Sequence, residues 1–303
     1  MKSKRVKYLL IGLALVFGIL ACNLPAKPPD LGFIVTATSA GKETLSSPIP
    51  TSPVVTATTA SSPTAVNTPV PTVPTATPIP PSPTVPQLTR SVAGVVASYL
   101  ATAPIIDGDI SDWSLNAYPV NAVTFGAAQW SGSNDLSGSV MVGWDNNNLY
   151  LGVHVTDDTF VQNASGNHMY EGDSIEVLLD TKLGDDFYTN TLSPDDFQLG
   201  MSPGLPNVGE DPESYLWYPE SVEGFRNQVV IRAKKTSAGY DMEVSIPWNV
   251  FEMTPVAGLH YGFCFSISDN DKAGGIVQQS MASNVSTRHL TLPMTWGDLL
   301  LSK

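Results

Sequence analysis

From about residue 136 to the C-terminus, apolar and polar side chains alternate in short runs. Leu149, Leu151, Val153 and Val155 share one face of the run over 148–156, while Tyr150, Gly152 and His154 take the other. Tyr240, Met242, Val244 and Ile246 alternate with Asp241, Glu243 and Ser245 until Pro247 closes that run. Tyr261, Phe263, Phe265 and Ile267 do the same against Gly262, Cys264 and Ser266, as do Ile175, Val177 and Leu179 against Ser174 and Glu176. A period of two puts successive side chains on opposite faces of an extended strand. Clusters such as Asp145-Asn146-Asn147-Asn148 and Ser237-Ala238-Gly239 supply the turns between strands. Further strands are predicted over 139–144, 227–234 and 298–301. No stretch beyond residue 100 shows a sustained helical period. Each strand has one apolar face to bury, so the pattern predicts an all-β fold, a two-sheet antiparallel β-sandwich of jelly-roll-like form.

Upstream the alternation stops. Residues 31–87 are mainly Thr, Pro, Ser, Ala and Val, with Lys42 and Glu43 the only charges, and 15 of the 25 prolines lie between Pro25 and Pro86. Proline lacks a donor and fixes φ, so runs such as Thr68-Pro69-Val70-Pro71 build neither helix nor sheet interior. The expectation is a disordered Thr/Pro-rich linker of extended, polyproline character, whose hydroxyls could accept O-glycans. Ahead of it, Lys2, Lys4, Arg5 and Lys7 precede thirteen apolar or Gly residues, Leu9 to Ala21, and then Cys22. That is the anatomy of a secretory signal, too short to span a bilayer comfortably. Ile19-Leu20-Ala21-Cys22 resembles a bacterial lipobox, which implies cleavage before Cys22 and lipidation of its thiol. An ordinary signal with an incidental Cys is the alternative. The predicted organisation is a signal peptide over 1–21, a lipidated Cys22 and linker over 22–92, and a globular domain over 93–303. The protein would be extracytoplasmic and would touch the membrane through its lipid anchor only. Cys264 would then be the sole remaining thiol, so the fold stands without an intramolecular disulfide.

Charge sharpens this division. The whole chain carries −13; residues 1–90 hold seven basic and two acidic side chains, leaving 8 basic against 26 acidic in residues 91–303. A domain this acidic repels phosphate backbones, which excludes a nucleic-acid partner.

No nucleophile elbow, phosphate loop or dinucleotide fingerprint is present, and His154, His168, His260 and His289 are scattered without metal-ligand spacing. No hydrolytic carboxylate pair stands out among 26 acids. Some acids suit a hard cation, because Ca²⁺ takes six to eight oxygens and Asp-rich loops supply them. The candidate metal ligands are Asp107 and Asp109, Asp157 and Asp158, and Asp269 and Asp271, with plain turn chemistry as the alternative for each. Trp130 and the cluster Tyr215, Trp217 and Tyr218 lie in polar, Gly- or Pro-containing loops. Such rings either stack on the C–H faces of sugars or cover the ends of the sandwich.

Several segments together resemble the family 9 carbohydrate-binding module. In order they are Ile106-Asp107-Gly108-Asp109 with Asp112-Trp113, Trp144-Asp145 with Asn148-Leu149-Tyr150-Leu151 and Asp157-Asp158, then Tyr170-Glu171-Gly172-Asp173-Ser174-Ile175-Glu176-Val177 with Asp180. Gly239-Tyr240, Glu243-Val244-Ser245-Ile246-Pro247-Trp248, Asp269-Asn270-Asp271 and Thr295-Trp296-Gly297 complete the set. The resemblance implies a non-catalytic β-sandwich that binds polysaccharide or oligosaccharide, holds structural Ca²⁺ and works beside glycoside hydrolases. It places Tyr170 as a stacking ring, Glu176 as the acid and Gln198 as a polar sugar contact. The expected second ring is absent, since residues 272–292 contain no aromatic; Trp217 or Trp130 could substitute.

Two other readings stand beside it. Related DOMON-type sandwiches hold haem for electron transfer, and His168-Met169 with Met201 would offer ligands, though no C-x-x-C-H is present for covalent attachment. A structural surface module without a sugar ligand is the other.

Overall fold

The alternating runs become strands with the predicted faces inward. The computed structural model describes residues 87–92 and 94–303, so the expected signal peptide, Cys22 and most of the linker lie outside the described residues. Among the described residues fourteen strands follow one another: β1 Val95–Tyr99, β2 Ala117–Val120, β3 Ala122–Phe125, β4 Leu136–Trp144, β5 Asn148–Asp157, β6 Ser174–Asp180 and β7 Asp196–Ser202. Then come β8 Glu213–Tyr218, β9 Gly224–Phe225, β10 Val230–Lys235, β11 Gly239–Pro247, β12 His260–Asp269, β13 Ser280–Ser283 and β14 Gly297–Ser302. Among the described residues the helical elements are 3₁₀ turns, as the missing helical period predicts.

The strands form one continuous sheet in the order β10-β11-β5-β4-β1-β14-β12-β6-β7-β8-β9, with β2 on β4, and β13 and β3 branching from β12. The expectation of two separate antiparallel sheets is therefore refined. Five-residue β1 runs parallel to both β14 and β4 and stitches the halves together. It is too short to announce itself by alternation. The curled sheet brings Val140, Val153 and Met242 of one half into the same apolar cluster as Ile175, Leu199 and Phe263 of the other. Each such side chain, fully buried, contributes roughly 1.5–3 kcal/mol. Trp144 and Trp248 are buried at the ends of this core, and their indoles donate to Ser302 O and Asp145 O, both at 2.9 Å.

Strand β6 organises everything functional. Ile175, Val177 and Leu179 enter the core, so Ser174, Glu176, Leu178 and Asp180 point to the outer side. That outer side is also buried. Leu178 and β12 Cys264 are capped by Val285 and Trp296 from the stretch before β14, and Trp296 Nε1 donates to His289 O at 3.0 Å. The cap leaves a trough at Glu176 and a pocket of acids at Asp180. Enclosure raises the Cys264 thiol to about 12, which makes it inert. Residues ahead of 93 also pack here: Arg90 is buried, and its backbone N–H donates to Asp298 Oδ1 at 3.0 Å.

Candidate functional site

The trough beside Glu176 encloses about 500 Å³ and crosses the sheet rather than following one strand. Glu176 on β6 faces Gly200 on β7, and Gln198 on β7 faces Leu178, so both polar side chains rise from one face. Glu176 is 4% exposed. Gln198 Nε2 donates to its Oε2 at 2.7 Å, and Arg288 Nη2 pairs with its Oε1. Both charged side chains of that pair are buried, so the carboxylate is held by two donors. A carboxylate accepts about four hydrogen bonds, which leaves lone pairs for hydroxyls in the trough.

Rings stand at both ends. Trp217, from β8, lies over the bare backbone of Gly200; a Cβ there would sit 2.2 Å from Trp217 Cη2. Its Nε1 donates to Asn167 O at 2.9 Å. Tyr170 meets Trp217 edge to face, with centroids 6.0 Å apart and planes at 74°, and is 38% exposed. Tyr215 and Phe225 extend this aromatic row at 5.9 and 5.3 Å. At the far end stands Phe125, half exposed on β3, whose register partner is Met281 on β13. Five strand steps separate β3 from β8, about 24 Å along the curved sheet at roughly 4.8 Å per step. Gly126 lets β3 lie close: at φ +66°, its absent Cβ would fall 1.8 Å from Gln279 O.

Four of the five predicted sugar contacts, Tyr170, Glu176, Gln198 and Trp217, line this trough. Trp130 does not. It packs against the core and donates through Nε1 to Leu136 O at 2.9 Å, which accounts for a Trp in a loop without apolar period. Sequence reasoning missed Phe125 and Arg288. Phe125 sits in a four-residue strand that reads as core, and Arg288 meets Glu176 across 112 residues. Glu176 is the one carboxylate among the residues lining the trough. Of the haem ligands the sequence offered, Met169 and Met201 are fully buried, while the His168 side chain is largely exposed and bonds Glu171.

The acids gather elsewhere. One carboxylate oxygen each from Asp157, Asp173 and Asp269 lie within 4.8 Å of one another, and so do those of Asp135, Asp158 and Asp271. Asp157, Asp158, Asp269 and Asp271 were predicted; Asp135 and Asp173 join them through the fold. Burial first, with neighbouring carboxylates adding to it, lifts Asp157 to about 6 and Asp269 to about 7, and holds Asp173 well above the ordinary carboxylate value. Asp157 Oδ2, Asp269 Oδ1 and Asp271 Oδ1 are buried without a hydrogen-bond partner. An all-oxygen set with unpartnered atoms fits a hard cation such as Ca²⁺. Asp107 and Asp109 stand apart from it. Their exposed carboxylates face Lys234, while the Asp107 and Gly108 N–H groups donate to buried Glu243, which also accepts from Trp113 Nε1 at 2.6 Å. These residues form a pinned turn, with Gly108 at φ +86°.

Comparison with known proteins adds relatives to this geometry. Endo-1,4-beta-xylanase A of Thermoanaerobacterium saccharolyticum is 29% identical over 216 residues, covering 70% of this chain and 16% of the relative. Exoglucanase XynX of Acetivibrio thermocellus is 30% identical over 212 residues, covering 68% and 17% respectively. The chain thus spans less than a fifth of the length of these curated relatives. A family 9 carbohydrate binding module from Caldicellulosiruptor kristjanssonii, solved with glucose, superposes with a TM-score of 0.51 at 20% identity, covering 69% of this chain and 95% of the module. The same module solved with cellotriose gives 0.50 at 20% identity, covering 69% and 93%. These structures share the fold. Residues 106–303, more than half of the length, match the carbohydrate family 9 binding domain-like family, and the chain belongs to it.

Proposed function

We infer that the domain binds carbohydrate without transforming it, and that the trough between Trp217 and Phe125 is where the sugar lies. One observation carries the reading: Tyr170 and Trp217 share a single trough with Glu176, Gln198 and Arg288. Rings offer apolar faces to the C–H surface of a pyranose, while a fixed carboxylate and fixed N–H groups bond its hydroxyls. The proposed ligands are glucose- and xylose-based oligosaccharides or polysaccharides. The C. kristjanssonii module with glucose and cellotriose, and the xylanase and exoglucanase among the relatives, support that class. Absence of a second carboxylate in the trough supports binding without hydrolysis.

The acids around Asp157 and Asp269 would hold Ca²⁺. The ion would neutralise buried carboxylates and brace the segments that carry Asp135, Asp173 and Asp271. The proposal extends to the whole protein: a lipid on Cys22 anchors it outside the cytoplasm, the Pro/Thr linker spaces the domain from the membrane, and glycoside hydrolases work beside it. Calorimetric titration with cello- and xylo-oligosaccharides in Ca²⁺ tests the core reading. Binding that Trp217→Ala weakens supports it; no heat at millimolar sugar overturns it.

A further inference from the structure

The rung of the sheet that carries Glu176 runs on beyond the trough. Glu176 pairs with Gly200 on β7, Gly200 with Tyr215 on β8, and Tyr215 with Phe225 on β9. Side chains at paired positions share a face, so Tyr215 and Phe225 stand on the outer face with Glu176. Along β8, Glu213, Tyr215 and Trp217 alternate outward while Ser214 and Leu216 are buried. Trp217 lies over Gly200, so a line of side chains passes from Glu176 across Trp217 and Tyr215 to Phe225. Neither Tyr215 nor Phe225 lines the trough. Three strand steps separate Phe225 from Glu176, about 14 Å at roughly 4.8 Å per step, farther than a single sugar ring reaches.

These outer rings are open to solvent and yet held in place. Phe225 is half exposed on the two-residue edge strand β9, and its ring meets Tyr215 edge to face. The same ring lies against Gly166: at φ +61°, a Cβ there would come within 3.1 Å of Phe225 Cζ. Gly166 also opens the 3₁₀ turn Gly166–Glu171 that presents Tyr170 to the trough, so one turn braces rings inside and outside it. Tyr215 OH donates to Glu223 Oε1 at 2.7 Å, which fixes the phenol. A ring already fixed loses little further freedom when a ligand stacks on it. The charge beside the row is negative. Glu213 accepts from Ser165 Oγ at 2.9 Å and from Gly166 N–H at 2.8 Å, while the Arg226 guanidinium donates to the carbonyls of Val222, Gly224 and Phe225.

We propose that Tyr215 and Phe225 form an outlying stacking surface for the part of a polysaccharide chain that leaves the trough past Trp217. The proposal rests on the carbohydrate reading of the trough and adds to it a preference for long chains. Continuity with the trough names the occupant, because a chain lying along the Glu176 rung meets these rings next. They offer apolar faces to its C–H surface, and the remaining lone pairs of Glu213 and Glu223 accept from its hydroxyls. The flanking acids and the committed Arg226 favour an uncharged glucan or xylan over a chain that carries uronates.

Calorimetric titration of the full chain with di- and hexasaccharides of the cello and xylo series separates the two surfaces. The parent is expected to bind hexasaccharide about tenfold tighter than disaccharide, by analogy with one further base stacked on an aromatic ring. Phe225→Ala is expected to remove most of that preference while disaccharide affinity and melting temperature stay parent-like. Phe225→Tyr keeps a ring and should keep the preference, whereas Trp217→Ala weakens both lengths. Should Phe225→Ala fold poorly, Phe225→Leu retains an apolar cover on Gly166 without the ring and is expected to show the same selective loss. A folded Phe225→Ala or Phe225→Leu protein that binds hexasaccharide like the parent overturns the outlying surface and leaves the trough standing. A parent that binds neither length overturns the trough reading, and this surface with it.

Discussion

Trp217 rests on Gly200: any side chain at 200 would begin 2.2 Å from the far edge of the indole. The ring's place in the trough is thus set by an atom that β7 lacks. Gly200 needs no left-handed backbone, so Gly200→Ala strains the ring rather than the strand. The indole must swing out and give up its bond to Asn167 O. Gly200→Ala is expected to weaken oligosaccharide binding nearly as much as Trp217→Ala, roughly 1–3 kcal/mol by analogy with base stacking on aromatic side chains. Calorimetry reads the affinity, and a parent-like melting temperature separates this from unfolding.

Phe125 and Trp130 should part company. Phe125 is half exposed in the trough, so Phe125→Ala is expected to lower sugar affinity by about 1 kcal/mol with little change in stability. Trp130 covers the core and bonds Leu136 O, so Trp130→Ala is expected to cost about 3 kcal/mol of stability and leave the intrinsic sugar affinity intact. Urea unfolding beside sugar titration checks both.

Glu176 and Arg288 are both buried, so each depends on the other. Arg288→Ala strands a carboxylate that keeps Gln198 as its only protein donor. A loss of roughly 3–5 kcal/mol is expected from breaking a buried pair one-sidedly. The double variant Glu176→Gln with Arg288→Gln should recover part of that stability but not sugar binding. A double-mutant cycle by urea unfolding measures the coupling.

Metal-free protein should lose stability as pH rises. Asp157, Asp269, Asp196 and Asp180 titrate at about 6, 7, 7 and 8 when folded, against about 3.9 in an unfolded chain. The folded form therefore holds protons that the unfolded chain releases, and deprotonation favours unfolding. The loss starts near pH 4 and runs to about pH 8 as these groups ionise. At the Ca²⁺ site proposed around Asp157 and Asp269, which would take the ionised carboxylates, added Ca²⁺ is expected to reverse the trend at the upper end. Melting curves from pH 5 to 8 in EDTA and in excess Ca²⁺ test this, at roughly 2–4 °C per kcal/mol for a domain of this size.

The sequence by itself determined β4, β5, β6, β10, β11, β12 and β14 with their inner faces, whereas Tyr215, Trp217 and Tyr218, read as loop residues, lie on β8. Leu149, Leu151, Val153 and Val155 are buried as alternation requires, because a period of two is a local property that neighbours impose on one another. Family membership was legible too, since its segments recur in order along the chain. Tertiary structure decided what those strands bring together. Arg288 reaches Glu176 across 112 residues, Phe125 joins the trough only through its pairing with Met281, Asp173 meets Asp157 and Asp269, and Asp135 meets Asp158 and Asp271. Asp107 and Asp109 looked as ligand-like as the rest, and only Glu243, buried more than 130 residues away, reveals them as a turn. Register and approach between distant segments are settled by what the whole core can bury, and no local pattern records that.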